Sequence, residues 1–196
     1  MNTNYQLSVD TGRLAIENGT ANPKWFRPDV DPHNIRNLMQ KSDAIAIRDT
    51  AIWLGMMIVS AGCAVALWPS VWSVPFWLVY GVLYGSAADS RWHECGHKTA
   101  FKTTWMNNAV YQLASFMIMR NPAIWQASHV RHHTDTIIVG RDPEIVAMRP
   151  PDLARIALAF VGVVDVYIAF KRMILHASGR IDPEEATYVA AKDHAK

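Results

Sequence analysis

The sequence predicts an all-α integral membrane protein, with a transmembrane helical hairpin followed by cytoplasmic or interfacial helices that carry clustered histidines. Three observations predict it. No residue between Asp49 and Asp89 carries a charge. Charged residues make up only 18% of the chain, against roughly 25% in soluble globular proteins. Five of the eight histidines fall in two short stretches, RWHECGH at 91–97 and SHVRHH at 128–133.

Composition excludes several classes. A formal net charge of +2 without a long basic run argues against nucleic acid as the partner. Cys63 lies in an apolar run and Cys95 between two histidines, so the two do not make a disulfide framework. Residues 1–48 are polar, carry Pro23, Pro28 and Pro32, and have no apolar core near Met1. They read as a cytoplasmic N-terminal segment rather than a cleaved signal peptide.

The uncharged stretch is too long for one straight span. At about 1.5 Å per residue it would far exceed the roughly 30 Å hydrocarbon thickness of a bilayer. Pro69 and Ser70 divide it, giving arms at 51–68 and 71–88, with Pro75 where a first helical turn tolerates proline. Trp68, Trp72 and Trp77 gather at the turn, as interfacial aromatics do. Arg36, Lys41 and Arg48 precede the hairpin and Arg91, Lys98 and Lys102 follow it, whereas the turn has no Lys or Arg. The positive-inside rule then places both the N-terminus and RWHECGH in the cytoplasm.

Residues 105–119 carry apolar positions at Met106, Ala109, Val110, Leu113 and Met117, a helical stripe. The segment is short, and it reads as a helix lying on the membrane surface or dipping into it. Pro122 ends it. Residues 140–152 read as loop, closed by Pro150 and Pro151. Residues 153–175 have a helical pattern interrupted by Arg155 and Asp165, and fit either an interfacial helix or a third crossing with Asp165 turned inward. Residues 181–196 read as a polar tail.

The histidines point to a metal. Side chains four apart on a helix have Cβ atoms about 6 Å apart, and both His93/His97 and His129/His133 have that spacing, with His132 on the same face as His129. His33, His176 and His194 are isolated and read as ordinary surface or core histidines. HECGH also matches the H-E-x-x-H pattern of zinc metalloproteases, with Glu94 as general base. Against that, Gly96 weakens the helix the motif needs and Lys98 puts a charge just past the second ligand. Five imidazoles also exceed what one zinc ion takes, and they suit a pair of irons better. A non-enzymatic metal-binding membrane protein is the third reading.

HECGH after a hydrophobic hairpin, followed by HVRHH, resembles the first two histidine boxes of the membrane fatty-acid desaturase superfamily. The resemblance covers positions 45–180, which defines a desaturase-like domain at 49–180. It implies that His93, His97, His129, His132 and His133 ligate a non-haem di-iron centre, which uses O2 to introduce a double bond into an acyl chain. A related hydroxylase or carotenoid oxygenase would use the same two boxes. The substrate implied is a membrane lipid or a carrier-bound acyl chain. With no haem pair or cysteine cluster in the sequence, electrons are expected from a separate ferredoxin or cytochrome b5-type donor. The family pattern includes a third box, again H-x-x-H-H, and none follows His133 here. The expectation is therefore an N-terminal portion, inactive by itself.

Groups that hold the second nitrogen of each imidazole are expected around such a centre. Glu94, Asp135 and Asp142 are the nearest acidic candidates. Trp92, Trp105 and Trp125 suit either the mouth of an acyl channel or interfacial anchoring. Asn107 and Asn108 read as helix-start polars rather than ligands. Arg120, Arg131 and Arg141 fit lipid phosphate, a carrier headgroup or topology alone.

Overall fold

The computed structural model describes residues 8–21, 24, 26, 28–145 and 151–191. Pro23, Pro150 and His194 lie outside the described residues, as does the side chain of Arg155. Among the described residues there is no strand. The helices in chain order are α1 (Val9–Glu17), α2 (Pro32–Leu38), α3 (Asp43–Ala66), α4 (Ser73–Gly85), a π-helical turn (Ala87–Arg91), α5 (Trp92–Gly96), α6 (Thr104–Met117), α7 (Pro122–Asp135), α8 (Leu153–Phe160) and α9 (Val163–Ala177). A 3-10 turn follows at Glu185–Thr187. The chain divides into two compact units, residues 29–120 and residues 1–28 with 121–196.

In the first unit, α3 begins earlier than the expected position 51. Ser42 caps it, accepting from the Ile45 N–H, and Asp43 puts a negative charge in the first turn, where the helix dipole favours it. Arg48 and Asp49 lie within this helix and pair with each other at 2.8 Å. Pro69, joined to Trp68 by a cis peptide bond, bars continuation beyond Ala66. Among the described residues, Pro32–Ala66 is the stretch long and apolar enough to cross a membrane, with mean hydropathy 1.6 in its best window. The second arm, expected over 71–88, is shorter: α4 has 13 residues, about 20 Å of helix, before the π-turn begins.

The burial pattern of this pair is inverted relative to a water-soluble bundle. α3 buries Trp53, Ser60 and Ala64 while Ile58, Val59 and Val65 are each more than 60% exposed. On α4, Leu78 and Val82 are exposed and Ser73 is buried. Small residues let helix backbones approach each other, and large aliphatic side chains then face outward. Trp53 Nε1 donates to the Leu83 carbonyl at 2.8 Å and joins the two helices.

The same inversion holds for α6, whose apolar stripe was read as belonging to a helix lying on the membrane surface or dipping into it. Its buried residues are Asn107, Tyr111, Ala114, Ser115 and Met117, whereas Ala109 and Leu113 are exposed. Asn107 and Tyr111 each have a partner inside the unit, described below, and this turns the aliphatic side chains out.

In the second unit, Asn121 caps α7 by accepting from the N–H groups of Ala123 and Ile124, and Pro122 occupies the first turn. The helical pattern at 153–175 is two helices rather than one. Gly162, at φ +69°, separates α8 from α9, because a left-handed residue ends an α-helix and glycine adopts it without cost. With 8 and 15 residues, they are about 12 and 22 Å long, each short of the roughly 30 Å hydrocarbon layer. Glu184 and Glu185 of the polar tail fold back on α9. His176 Nε2 lies 2.7 Å from Oε2 of Glu185, a carboxylate only 2% exposed. His176 is thus the satisfied structural histidine the sequence suggested. Burial, then the Glu185 charge, raises the Tyr188 phenol above its ordinary value.

Candidate metal centre

The first histidine group belongs to the 29–120 unit. α5 is a single short helix with His97 as its C-cap. The rings of His93 and His97 stand 4.8 Å apart, inclined at 66°. The π-turn runs directly into α5, and such turns are frequent at functional sites. Trp92, 4% exposed, packs on Tyr111 of α6 at a ring separation of 5.9 Å. A Cβ added to Gly96 would sit 3.1 Å from Tyr111 Cε2. Gly96 therefore marks the close approach of α5 to α6, not merely a weak point in the helix. The Arg91 guanidinium lies 5.7 Å from the Trp53 ring centroid, within cation–π reach.

The loop after His97 is stitched down from two sides. Lys41 Nζ donates to the Lys98 carbonyl at 2.7 Å. The backbone N–H of Thr103 and its hydroxyl donate to the Asp43 carboxylate at 2.9 and 2.6 Å. Asn107, 1% exposed, accepts from the Phe101 N–H at 3.0 Å and donates to the Phe101 carbonyl at 2.8 Å. This clamp accounts for a buried asparagine as a structural group, as the sequence suggested. Tyr84 likewise donates its hydroxyl to the Met117 carbonyl. Cys95, 2% exposed, has its thiol pushed up to about 11, by burial first and the Glu94 charge second, with Arg91 opposing.

The second group belongs to the other unit. His129 Nδ1 lies 3.2 and 3.1 Å from the two carboxylate oxygens of Glu144. His132 Nδ1 lies 2.9 and 3.0 Å from those of Asp142. An ionised carboxylate only accepts, so each Nδ1 carries the proton and Nε2 is the basic nitrogen. His133 Nε2 stands 3.1 Å from His129 Nε2. Two nitrogens each about 2.1 Å from one ion would be about 3.0 Å apart at right angles and about 3.4 Å apart at tetrahedral angles. The pair thus has the spacing of adjacent ligands, and the carboxylate–histidine arrangement is the one that orients metal-ligating imidazoles. Imidazole donors of this kind suit iron, zinc or copper.

The turn carrying these carboxylates is tightly tied. Asp142 accepts from the N–H groups of Ile137 at 2.8 Å and Glu144 at 2.9 Å. Ser128 Oγ donates to Glu144 at 3.3 Å. Ile137 sits at φ +67°, a left-handed conformation that costs a β-branched residue about 1–2 kcal/mol, so its bond to Asp142 holds a strained backbone in place.

Of the acidic candidates, only Asp142 meets a histidine in this way. Asp135, 1% exposed, pairs with Arg131 at 2.5 Å and Arg141 at 2.9 Å. Both arginines face this buried carboxylate, with their side chains 33% and 29% exposed. Glu94 is exposed. Glu144 was not anticipated; its only signal was its place two residues beyond Asp142 in RDPE. Of the three tryptophans considered for a channel mouth, Trp92 is buried, Trp125 is half-buried and Trp105 is 65% exposed.

Comparison with known proteins settles the family. The model of the family described as "Fatty acid desaturase" matches residues 66–183, more than half of the chain. This chain belongs to the fatty acid desaturase family. The match takes in both histidine groups, and the family is one of membrane-bound oxidoreductases of lipid metabolism. The chain is 31% identical over 126 residues to the bifunctional fatty acid conjugase/Delta(12)-oleate desaturase of Punica granatum, covering 62% of this chain and 31% of that one. It is 27% identical over 124 residues to an endoplasmic-reticulum omega-6 fatty acid desaturase of Glycine max, with 62% and 31% covered. It is 26% identical over 139 residues to the Delta(12)-fatty-acid desaturase of Arabidopsis thaliana, with 69% and 36% covered. The desaturase-like chain thus spans about a third of the length of the curated relatives it matches. No solved structure matches it.

Proposed function

We propose that this chain is the N-terminal part of a membrane desaturase that introduces a double bond into an acyl chain at a non-haem di-iron centre, with O2 as co-substrate. One observation carries the reading: His129 and His132 each hold Nδ1 on a carboxylate, which supports Nε2 as the ligating nitrogen. His93, His97, His129, His132 and His133 are the proposed ligands. Iron bound there would supply the redox chemistry that an unactivated C–H bond demands and that acid–base side chains lack.

The chain's own residues do the rest. Glu144 and Asp142 fix tautomer and ring orientation. The Asp43–Thr103 and Asn107–Phe101 ties hold the loop after His97. The outward aliphatic faces of α3 and α4 seat the unit in a membrane as a hairpin, with both histidine boxes and the N-terminus on the cytoplasmic side. The names of the relatives favour an oleoyl-type acyl chain, presented on a membrane lipid or a carrier. A separate ferredoxin or cytochrome b5-type protein supplies electrons.

The test is expression of the complete open reading frame in a host that makes oleate but no dienoic acids, with acyl chains analysed by gas chromatography and mass spectrometry. A dienoic product, absent when His129 is replaced by alanine, is expected. A hydroxylated product, or an unchanged acyl profile with the protein present in the membrane, would overturn the desaturase reading.

A further inference from the structure

We infer that α1 is a positioning element for the second histidine group, acting through Gly12. The inference rests on the metal reading above for its functional meaning, but its geometry stands alone. Gly12 is buried in α1. A Cβ built there would lie 2.5 Å from the Val139 carbonyl oxygen and 3.2 Å from the Val139 nitrogen. No Cβ tolerates the first distance, and the atoms it meets are backbone, which cannot rotate away. Glycine at this position therefore brings the helix directly against the main chain at Val139.

Val139, 7% exposed, lies in the turn that orients the site. The Asp142 and Arg141 N–H groups both donate to the Ile138 carbonyl, at 2.9 and 3.0 Å. Ile137 and Gly140, on either side, have φ of +67° and +85°. Ile137, a β-branched residue in the left-handed region, keeps that conformation only when its surroundings determine it. Asp142 and Glu144 leave that turn to meet His132 and His129. The path of influence is thus Gly12 to Val139, Val139 to the 137–142 turn, and the turn to both carboxylates. α1 itself is firmly started, since Ser8 and Thr11 cap each other reciprocally.

The expected effect of filling this position has an unusual sign. In an undocked helix, Gly→Ala strengthens the helix. Here Gly12→Ala should loosen a turn far from it in sequence. The test uses the full chain in detergent, with residue-resolved amide hydrogen exchange at Ile137 and Glu144, whose N–H groups are bound to Asp142. Cobalt(II) titration, followed by its d–d absorption, is the second readout. Gly12→Ala should speed exchange at both amides at least tenfold and weaken cobalt binding at least tenfold, while α9 amides stay unchanged. Arg13→Ala, on the exposed side of the same helix, should change neither. If Gly12→Ala slows global exchange and leaves Ile137, Glu144 and cobalt affinity as in the parent, the inference is overturned. Acceleration of every amide alike would also overturn it, because that is general destabilisation. A parent chain that takes up no cobalt defeats the metal reading, and the exchange comparison then decides the inference separately.

Discussion

His132 Nδ1 lies 2.9 Å from Oδ1 of Asp142, a carboxylate 1% exposed that also accepts the N–H groups of Ile137 and Glu144. One buried side chain therefore fixes a proposed ligand and the turn beside it. Asp142→Asn keeps the shape but turns an obligate acceptor into a group that also donates. It is expected to lower metal affinity by about 10–100-fold, the range for such outer partners, with helix content unchanged. Metal titration with circular dichroism checks both.

Glu144→Gln tests the unanticipated partner. The Glu144 side chain is 16% exposed, so water partly replaces what is lost. The expected loss of affinity is at the low end of that range, about 10-fold. A loss equal to that of Asp142→Asn would mean that Glu144 does more than orient His129.

Glu94→Gln separates the iron and zinc-protease readings. Glu94 is exposed beside His93 and orients neither histidine in the iron account. Metal affinity and acyl product formation by the complete protein are expected to stay within twofold of the parent. Loss of activity with intact metal binding would favour a general base at Glu94.

Much of this site was legible in the sequence. Histidines spaced for one helix face announce themselves, and Asp142 stood out as an acidic residue soon after a box. Glu144 did not, because the turn that brings it back depends on Ile137 and Gly140 adopting left-handed conformations, which a residue pattern does not reveal. On α6, periodicity found the apolar positions but not that the polar Asn107 and Tyr111 pack inward while Ala109 and Leu113 point out. Gly96 was taken as a helix weakness, because what it accommodates, the Tyr111 ring, lies on another helix.

Gly96→Ala follows from that correction. The new methyl gains helix propensity of up to about 1 kcal/mol, but meets Tyr111 Cε2 at 3.1 Å, and overpacking of this kind costs about 1–3 kcal/mol. A net destabilisation of about 1 kcal/mol is expected by thermal unfolding in detergent. Tyr111→Leu in the same background should relieve the clash, which a double-mutant cycle reads as a favourable coupling.

Cys95 gives a pH signature. Its thiol is raised from 9.0 to about 11 in the folded chain, chiefly by burial. A group raised on folding contributes stability that is fully present below its unfolded value and lost as pH rises through its folded value. Its contribution should therefore decline between about pH 9 and pH 11, a decline missing in Cys95→Ser. Thermal unfolding across that window checks it.

The two histidine groups are proposed to hold iron, and iron retention is the measurement that decides it. The chain would be reconstituted anaerobically with ferrous iron, freed of excess, and its iron measured by mass spectrometry beside the His93→Ala/His97→Ala and His129→Ala/His133→Ala variants. Retention by the parent and its loss in each double variant is the predicted result. Iron retained equally by all three, or by none, would contradict it.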